Sequence, residues 1–154
     1  MKDKNSGFTL IELMIVATII GILAAIAIPK FAEMVRKSKE GSTKGSLGAL
    51  RSALSIYYAE NEGRFPGDGN GSCTFATGLV YLTSNGKYLS SIPFAKVADY
   101  HTDQSTELDG ESAGCVPNDT GNWFYISYQL DTNVGQLVVN CTHTDTKGSI
   151  WTTY

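Results

Sequence analysis

Few residues in this chain have types and spacing that suggest chemistry, and the most conspicuous is a carboxylate in an apolar setting. Glu12 is the only charged residue between Phe8 and Ile28. A carboxylate inside a membrane span costs on the order of 2.5–3.5 kcal/mol at the centre, so this one calls for a partner. The remaining reactive groups lie far along the chain. His101-Thr102-Asp103 and His143-Thr144-Asp145 repeat a small imidazole and carboxylate motif. A metal site would need the two copies to converge, and no further His exists to complete a His-rich sphere. The expectation is two solvated loops with no metal assigned. Cys73, Cys115 and Cys141 complete the set. The sequence has no Cys-x-x-Cys, no phosphate-cradling Gly loop and no local nucleophile signature, so it reads as a non-enzyme.

The element that positions Glu12 is a helix. Phe8 to Ile28 would span about 32 Å as an α-helix, against a bilayer core of roughly 30 Å. The run is apolar on all faces, which argues against an amphipathic helix lying on a surface. A secretory signal peptide is one reading, with Lys2 and Lys4 as a basic start and Ala25-Ile26-Ala27 as the cleavage site. The chain would then be a secreted binding module or enzyme, active in its loop between Phe94 and Gly121. Against this, the apolar run exceeds the usual 7–15 residue core of a signal peptide and contains Glu12. A plain membrane anchor also leaves Glu12 unexplained.

Gly7-Phe8-Thr9-Leu10-Ile11-Glu12, after a short polar leader with Lys2 and Lys4, accounts for these features together. It resembles the type IV prepilin (class III) signal, shared by type IV pilins and the pseudopilins of type II secretion. The resemblance is close over roughly the first 35 residues and loose beyond. It implies a leader of residues 1–7, cleavage between Gly7 and Phe8 by a membrane prepilin peptidase, and N-methylation of Phe8. It also implies a transmembrane and assembly helix over 8–29 and a pilin-like globular domain over 30–154. The new amine on Phe8 is largely cationic, and Glu12 one turn away is placed to pair with Phe8 of a neighbouring subunit. Such a pair sets register more than it adds stability, because desolvation offsets much of its attraction. Gly21 and Pro29 match positions where helices of this family are often interrupted, and Pro should kink or open a helix.

The function implied is that of a structural subunit of a type IV pilus-like filament, with a major pseudopilin of type II secretion as the alternative. The partners implied are further copies of the chain in a helical filament, the peptidase, a platform protein and a cytoplasmic ATPase. The implied location is the bacterial inner membrane with a cytoplasmic N-terminus, then a surface pilus or periplasmic pseudopilus. Charge does not settle orientation, because Lys30, Arg36, Lys37 and Lys39 follow the span. A net charge of −3 gives no reason to expect nucleic-acid binding.

Beyond Pro29 the pattern becomes amphipathic. Phe31, Met34 and Val35 begin a stripe that Leu47, Leu50, Leu54, Tyr57 and Tyr58 resume at helical spacing. Gly41, Gly45 and Gly48 between them suggest curvature or close helix contacts. Asn61 and Gly63 end the helix, which is expected from Phe8 to Asn61. The rest predicts a loop over Gly63 to Ser72, a short helix within Phe75 to Leu82, a turn at Asn85-Gly86 and a polar loop from Phe94 to Gly121. Trp123 to Leu130 and Gly135 to Thr142 form an antiparallel hairpin turning at Asp131-Thr132-Asn133, and Ile150 to Tyr154 adds an edge strand. The fold class is therefore α+β: a long N-terminal helix, transmembrane then amphipathic, packed on a small C-terminal antiparallel sheet.

Three further assignments concern the second half. If it is exported, one disulfide is expected, with Cys115 and Cys141 preferred for flanking the hairpin and Cys73 as the alternative member. Major pseudopilins bind calcium through C-terminal loop oxygens, and Asp103, Asp109, Asp131 and Asp145 offer such ligands, although no recognisable calcium loop is present. Asn70-Gly-Ser72, Asn118-Asp-Thr120 and Asn140-Cys-Thr142 fit the N-glycosylation triplet, at a frequency that the composition explains.

Overall fold

The computed structural model describes residues 7–67, 78–97, 99–105 and 116–154, together with the backbone of 107–109. By internal contacts the chain divides after Val35 into two units. Helix α1, Leu10–Glu60, contributes to both.

In the first unit α1 is an uncovered apolar helix. Phe8 is 82% exposed, and Leu10, Ile20 and Ile28 are likewise exposed. Length and composition make this helix able to cross a membrane. In the isolated chain α1 runs through Gly21 and Pro29, the two positions where a break is expected in an assembled filament. The locked φ of Pro is itself helical, and its cost is one donor and a crowded preceding turn. Ala24, Ala25 and Ala27 beside it are the strongest helix formers and hold the flanking ladder. Phe31, Met34 and Val35, expected to begin the packed stripe, are exposed as well.

In the second unit the helix acquires a partner. Its buried residues are Glu40, Thr43, Leu47, Leu50, Ala53 and Leu54, a stripe at helical spacing. Leu50 is fully buried and packs in a core with Trp123, Tyr125, Leu137, Val139 and Trp151. Polar bonds pin the same face. Thr43 Oγ1 accepts the Lys96 N–H at 2.8 Å and donates to the Lys96 carbonyl at 3.0 Å. The Arg51 guanidinium donates to the Leu137 carbonyl at 2.7 Å and to the terminal Tyr154 carbonyl at 2.5 Å. Among the described residues outside the helix's own backbone, a Cβ at Gly41, Gly45 or Gly48 would meet nothing within 4 Å. Tyr57 packs against the core and onto Tyr88, whereas Tyr58 turns to Phe65.

The sheet has three short strands: β1 (Glu107–Asp109), β2 (Trp123–Tyr125) and β3 (Leu137–Val139). The hairpin expected from the sequence is β2 with β3, antiparallel, with Phe124 opposite Val138. Its pairing continues past the strands, since Ile126 donates to Gln136 and Gly135 donates to Ile126. β1 comes from the stretch read as a loop and pairs parallel with β2. That stretch lacks side-chain alternation because its pairing is short and made through the backbone. A short helix α2, Val80–Thr83, precedes the Asn85-Gly86 turn, where both residues have positive φ. The expected edge strand at the C-terminus is instead one bridge, Thr144 to Ile150, followed by a 3-10 turn over Trp151–Thr153 that buries Trp151. Burying the indole in the core wins over extending the sheet by a few residues.

Candidate functional site

Two places carry the chemistry. At the start of α1, Thr9 and Glu12 close a capping box. The Thr9 N–H and hydroxyl both donate to Glu12 Oε2, at 2.8 and 2.7 Å, and the Glu12 N–H returns to Thr9 Oγ1 at 3.3 Å. Thr9 also supplies the carbonyl for the first helical bond, from Leu13. A Thr three residues before a Glu is the sequence signature of this motif, which satisfies orphan N–H groups at a helix start. The Thr9–Glu12 spacing carries this cap in the sequence, beside the assembly role expected of Glu12. Gly7 and Phe8 lie just before the helix, outside regular structure.

The second place is where the two His-Thr-Asp motifs lead. Their histidines, expected in separate solvated loops, meet: the rings of His101 and His143 lie 5.3 Å apart edge to face. His101 Nε2 is 3.3 Å and His143 Nδ1 is 3.4 Å from the same Asp119 oxygen. Cys141 Sγ lies 3.5 Å from His143 Nδ1. One donor atom from each of the four residues falls within 4.8 Å of the other three. The motif aspartates do not join them. Asp103 pairs with Lys39 at 3.6 Å, and Asp145 is taken up by Lys44 and Tyr154.

The cluster is built on Asn140, which is fully buried at the end of β3. Its carbonyl and N–H continue the hairpin to Gly121 and Asn122. Its side-chain oxygen accepts the N–H groups of Asn118 and Asp119, at 2.8 and 3.1 Å. Its amide donates to Asn118, Thr120 and Asn122 at 2.7–2.8 Å. One side chain thus shapes the loop that presents Asp119, whose own φ is +64°. Gly121, at φ +80°, lies so close to His101 that a Cβ there would stand 2.3 Å from the histidine Cβ. Tyr100 stacks on His143 with centroids 4.0 Å apart and planes 12° from parallel. The Thr142 N–H, donating to Asp119 at 2.8 Å, holds its carboxyl below the usual range. Burial pushes the Cys141 thiol up to about 11.

These four residues do not make a nucleophilic triad. That arrangement needs the thiol and the carboxylate on opposite nitrogens of one imidazole. Here both approach His143 Nδ1, and the thiol is buried.

Of the other assignments, Cys141 is a free buried thiol in this structure, and its expected partners Cys115 and Cys73 lie outside the described residues. Of the aspartates offered for calcium, Asp131 accepts the Asn133 N–H, Asp103 and Asp145 are paired as above, and the Asp109 side chain lies outside the described ones. Burial of Asn140 closes one of the three glycosylation triplets to a modifying enzyme.

An apolar helix long enough to cross a membrane opens on a capped carboxylate and is followed by a small α+β domain. Residues 2–28 match the prokaryotic N-terminal methylation motif. The chain is 38% identical over 122 residues to a fimbrial protein of Dichelobacter nodosus, covering 78% of this chain and 69% of the relative. It is 36% identical over 121 residues to the type IV major pilin protein PilA of Myxococcus xanthus (strain DK1622), covering 77% and 51%. With the fimbrial protein EcpC of Eikenella corrodens it shares 41% identity over 92 residues, covering 60% and 56%. The chain therefore belongs to the type IV pilin family. It spans about half the length of the last two relatives. No solved structure matches it significantly.

Proposed function

We propose that the chain is a structural subunit of a type IV pilus filament, made as a membrane-inserted precursor and assembled by bundling of its N-terminal helices. The observation that carries this reading is the uncovered apolar surface of α1 before Arg36, exposed from Leu10 to Phe31 and beyond. Such a surface is stable in lipid before assembly and among sister helices afterwards. Moving between the two gives little net hydrophobic drive, so packing, a specific polar pair and an assembly machine supply the rest. Relatives bearing pilin and fimbrial names favour a pilus over a secretion pseudopilus.

In this reading a prepilin peptidase cuts between Gly7 and Phe8 on the cytoplasmic side and the Phe8 amine is methylated. That cation then pairs with Glu12 of a neighbouring subunit. The capping box is compatible with the pairing, because both Thr9 bonds go to Oε2 and the second carboxylate oxygen takes neither. A cytoplasmic ATPase and a membrane platform would extract the subunit into the filament.

Intact mass and N-terminal fragmentation of the protein from its native membrane test the processing step. The expected chain begins at N-methyl-Phe8. A chain beginning at Ile28 would make it a secreted protein and overturn the filament reading, and an intact Met1 would reduce it to an anchored precursor.

A further inference from the structure

We propose that His101, Asp119, Cys141 and His143 form a tetrahedral binding site for a zinc ion, which ties three separate loops of the globular unit together. The site is independent of the filament reading.

Distances argue first. Zinc bonds to imidazole nitrogen, carboxylate oxygen and thiolate sulfur of about 2.0–2.3 Å, set at tetrahedral angles, place neighbouring ligands about 3.3–3.7 Å apart. Three contacts in the cluster measure 3.3, 3.4 and 3.5 Å, and all four donor atoms lie within 4.8 Å of one another. The two nitrogen–oxygen contacts exceed the ordinary hydrogen-bond range of about 2.7–3.2 Å. These three separations match ligands around a common centre, and the remaining ones close on the ion with small side-chain adjustments.

Satisfaction argues second. His101 Nε2 is buried and makes no aligned hydrogen bond, although it lies beside the Asp119 carboxylate. A buried polar atom without a partner needs an explanation. A cation between it and Asp119 supplies one.

The donor set selects the ion. A thiolate and two imidazoles disfavour calcium and magnesium, which take oxygen ligands. One carboxylate and one thiolate also balance the two charges of zinc. Binding releases the Cys141 thiol proton to solvent as the sulfur–zinc bond forms, with no change of oxidation state. The surroundings act as supports of a metal site do: Tyr100 fixes the His143 ring, Asn140 shapes the Asp119 loop, and Gly121 lets His101 approach. The ligands are separated by 18, 22 and 2 positions along the chain, so a metal here would link three separate segments.

Titration of the full chain, reduced and held in detergent, with Co2+ alone and then Zn2+ tests the site. The expected result is one Co2+ per chain, intense visible bands of tetrahedral cobalt, a near-ultraviolet thiolate-to-cobalt band, and displacement by Zn2+. Cys141→Ser should remove the thiolate band. His143→Ala and Asp119→Asn should each weaken binding by about a hundredfold or more, with helical circular dichroism unchanged. Absence of tetrahedral cobalt bands in folded, reduced protein would overturn the proposal. So would a thiolate-to-cobalt band that survives Cys141→Ser, or native protein in which Cys141 is wholly disulfide-bonded.

Discussion

Lys44 Nζ lies 2.6 Å from Asp145 Oδ2, an oxygen that also accepts the Tyr154 hydroxyl at 2.6 Å, so one buried carboxylate joins α1 to the C-terminal turn. Burial alone would raise this carboxyl. The bonds from Lys44 and Tyr154, with the Ser149 and Lys147 N–H groups, outweigh it and hold the group far below the usual range. A depressed carboxylate contributes stability that is fully present above its unfolded pKa of about 4 and is lost as pH falls through its folded value. Denaturation followed from pH 6 downwards should therefore show stability falling below about pH 4. Asp145→Asn should remove that part of the acid response and cost about 2–3 kcal/mol at neutral pH. A variant as stable as the parent at pH 7 would show that the junction is held elsewhere.

Asn140→Ala should cost about 3 kcal/mol in chemical denaturation, because it strands the N–H groups of Asn118 and Asp119 together with three acceptors. Asn140→Asp is the sharper comparison. It keeps the acceptor oxygen and loses the amide donors, so it should destabilise through the loop side chains while leaving the backbone bonds.

At Gly121 the left-handed φ and the nearness of His101 act together. Gly121→Ala should destabilise by about 2–4 kcal/mol. It should also displace the His101 ring signals in NMR spectra more than those of His143. Equal shifts for both rings would mean that the loop moves as a body.

Glu12→Ala should be cut and methylated as the parent is, with an unchanged mature N-terminus by mass spectrometry, yet yield at least about tenfold fewer filaments. In the proposed filament, removing one partner would leave the neighbouring ammonium unpaired among apolar helices. Thr9→Val separates the two roles of Glu12, since it removes the hydroxyl arm of the cap and keeps the carboxylate. Filament yield near the parental level from Thr9→Val, beside failure of Glu12→Ala, would assign the effect to the subunit pair.

Local pattern determined much of this protein. The length and uniform apolarity of the first part of α1 follow from composition, the Thr9–Glu12 cap from spacing, and the hairpin of β2 and β3 from its alternation around a polar turn. Each is a one-dimensional signal, repeated over many residues or placed at a fixed short offset. What the sequence alone left open was how distant segments combine. Nothing local distinguishes a solvated His-Thr-Asp from one whose histidine meets Asp119 and Cys141. That meeting depends on Asn140 shaping a loop some twenty residues earlier in the chain. Likewise Trp151 ends the chain in a turn because an apolar recess among α1 and β3 accepts the indole, which no strand propensity records. Side-chain packing and buried hydrogen bonds act between residues far apart in the chain, so tertiary structure alone decided them.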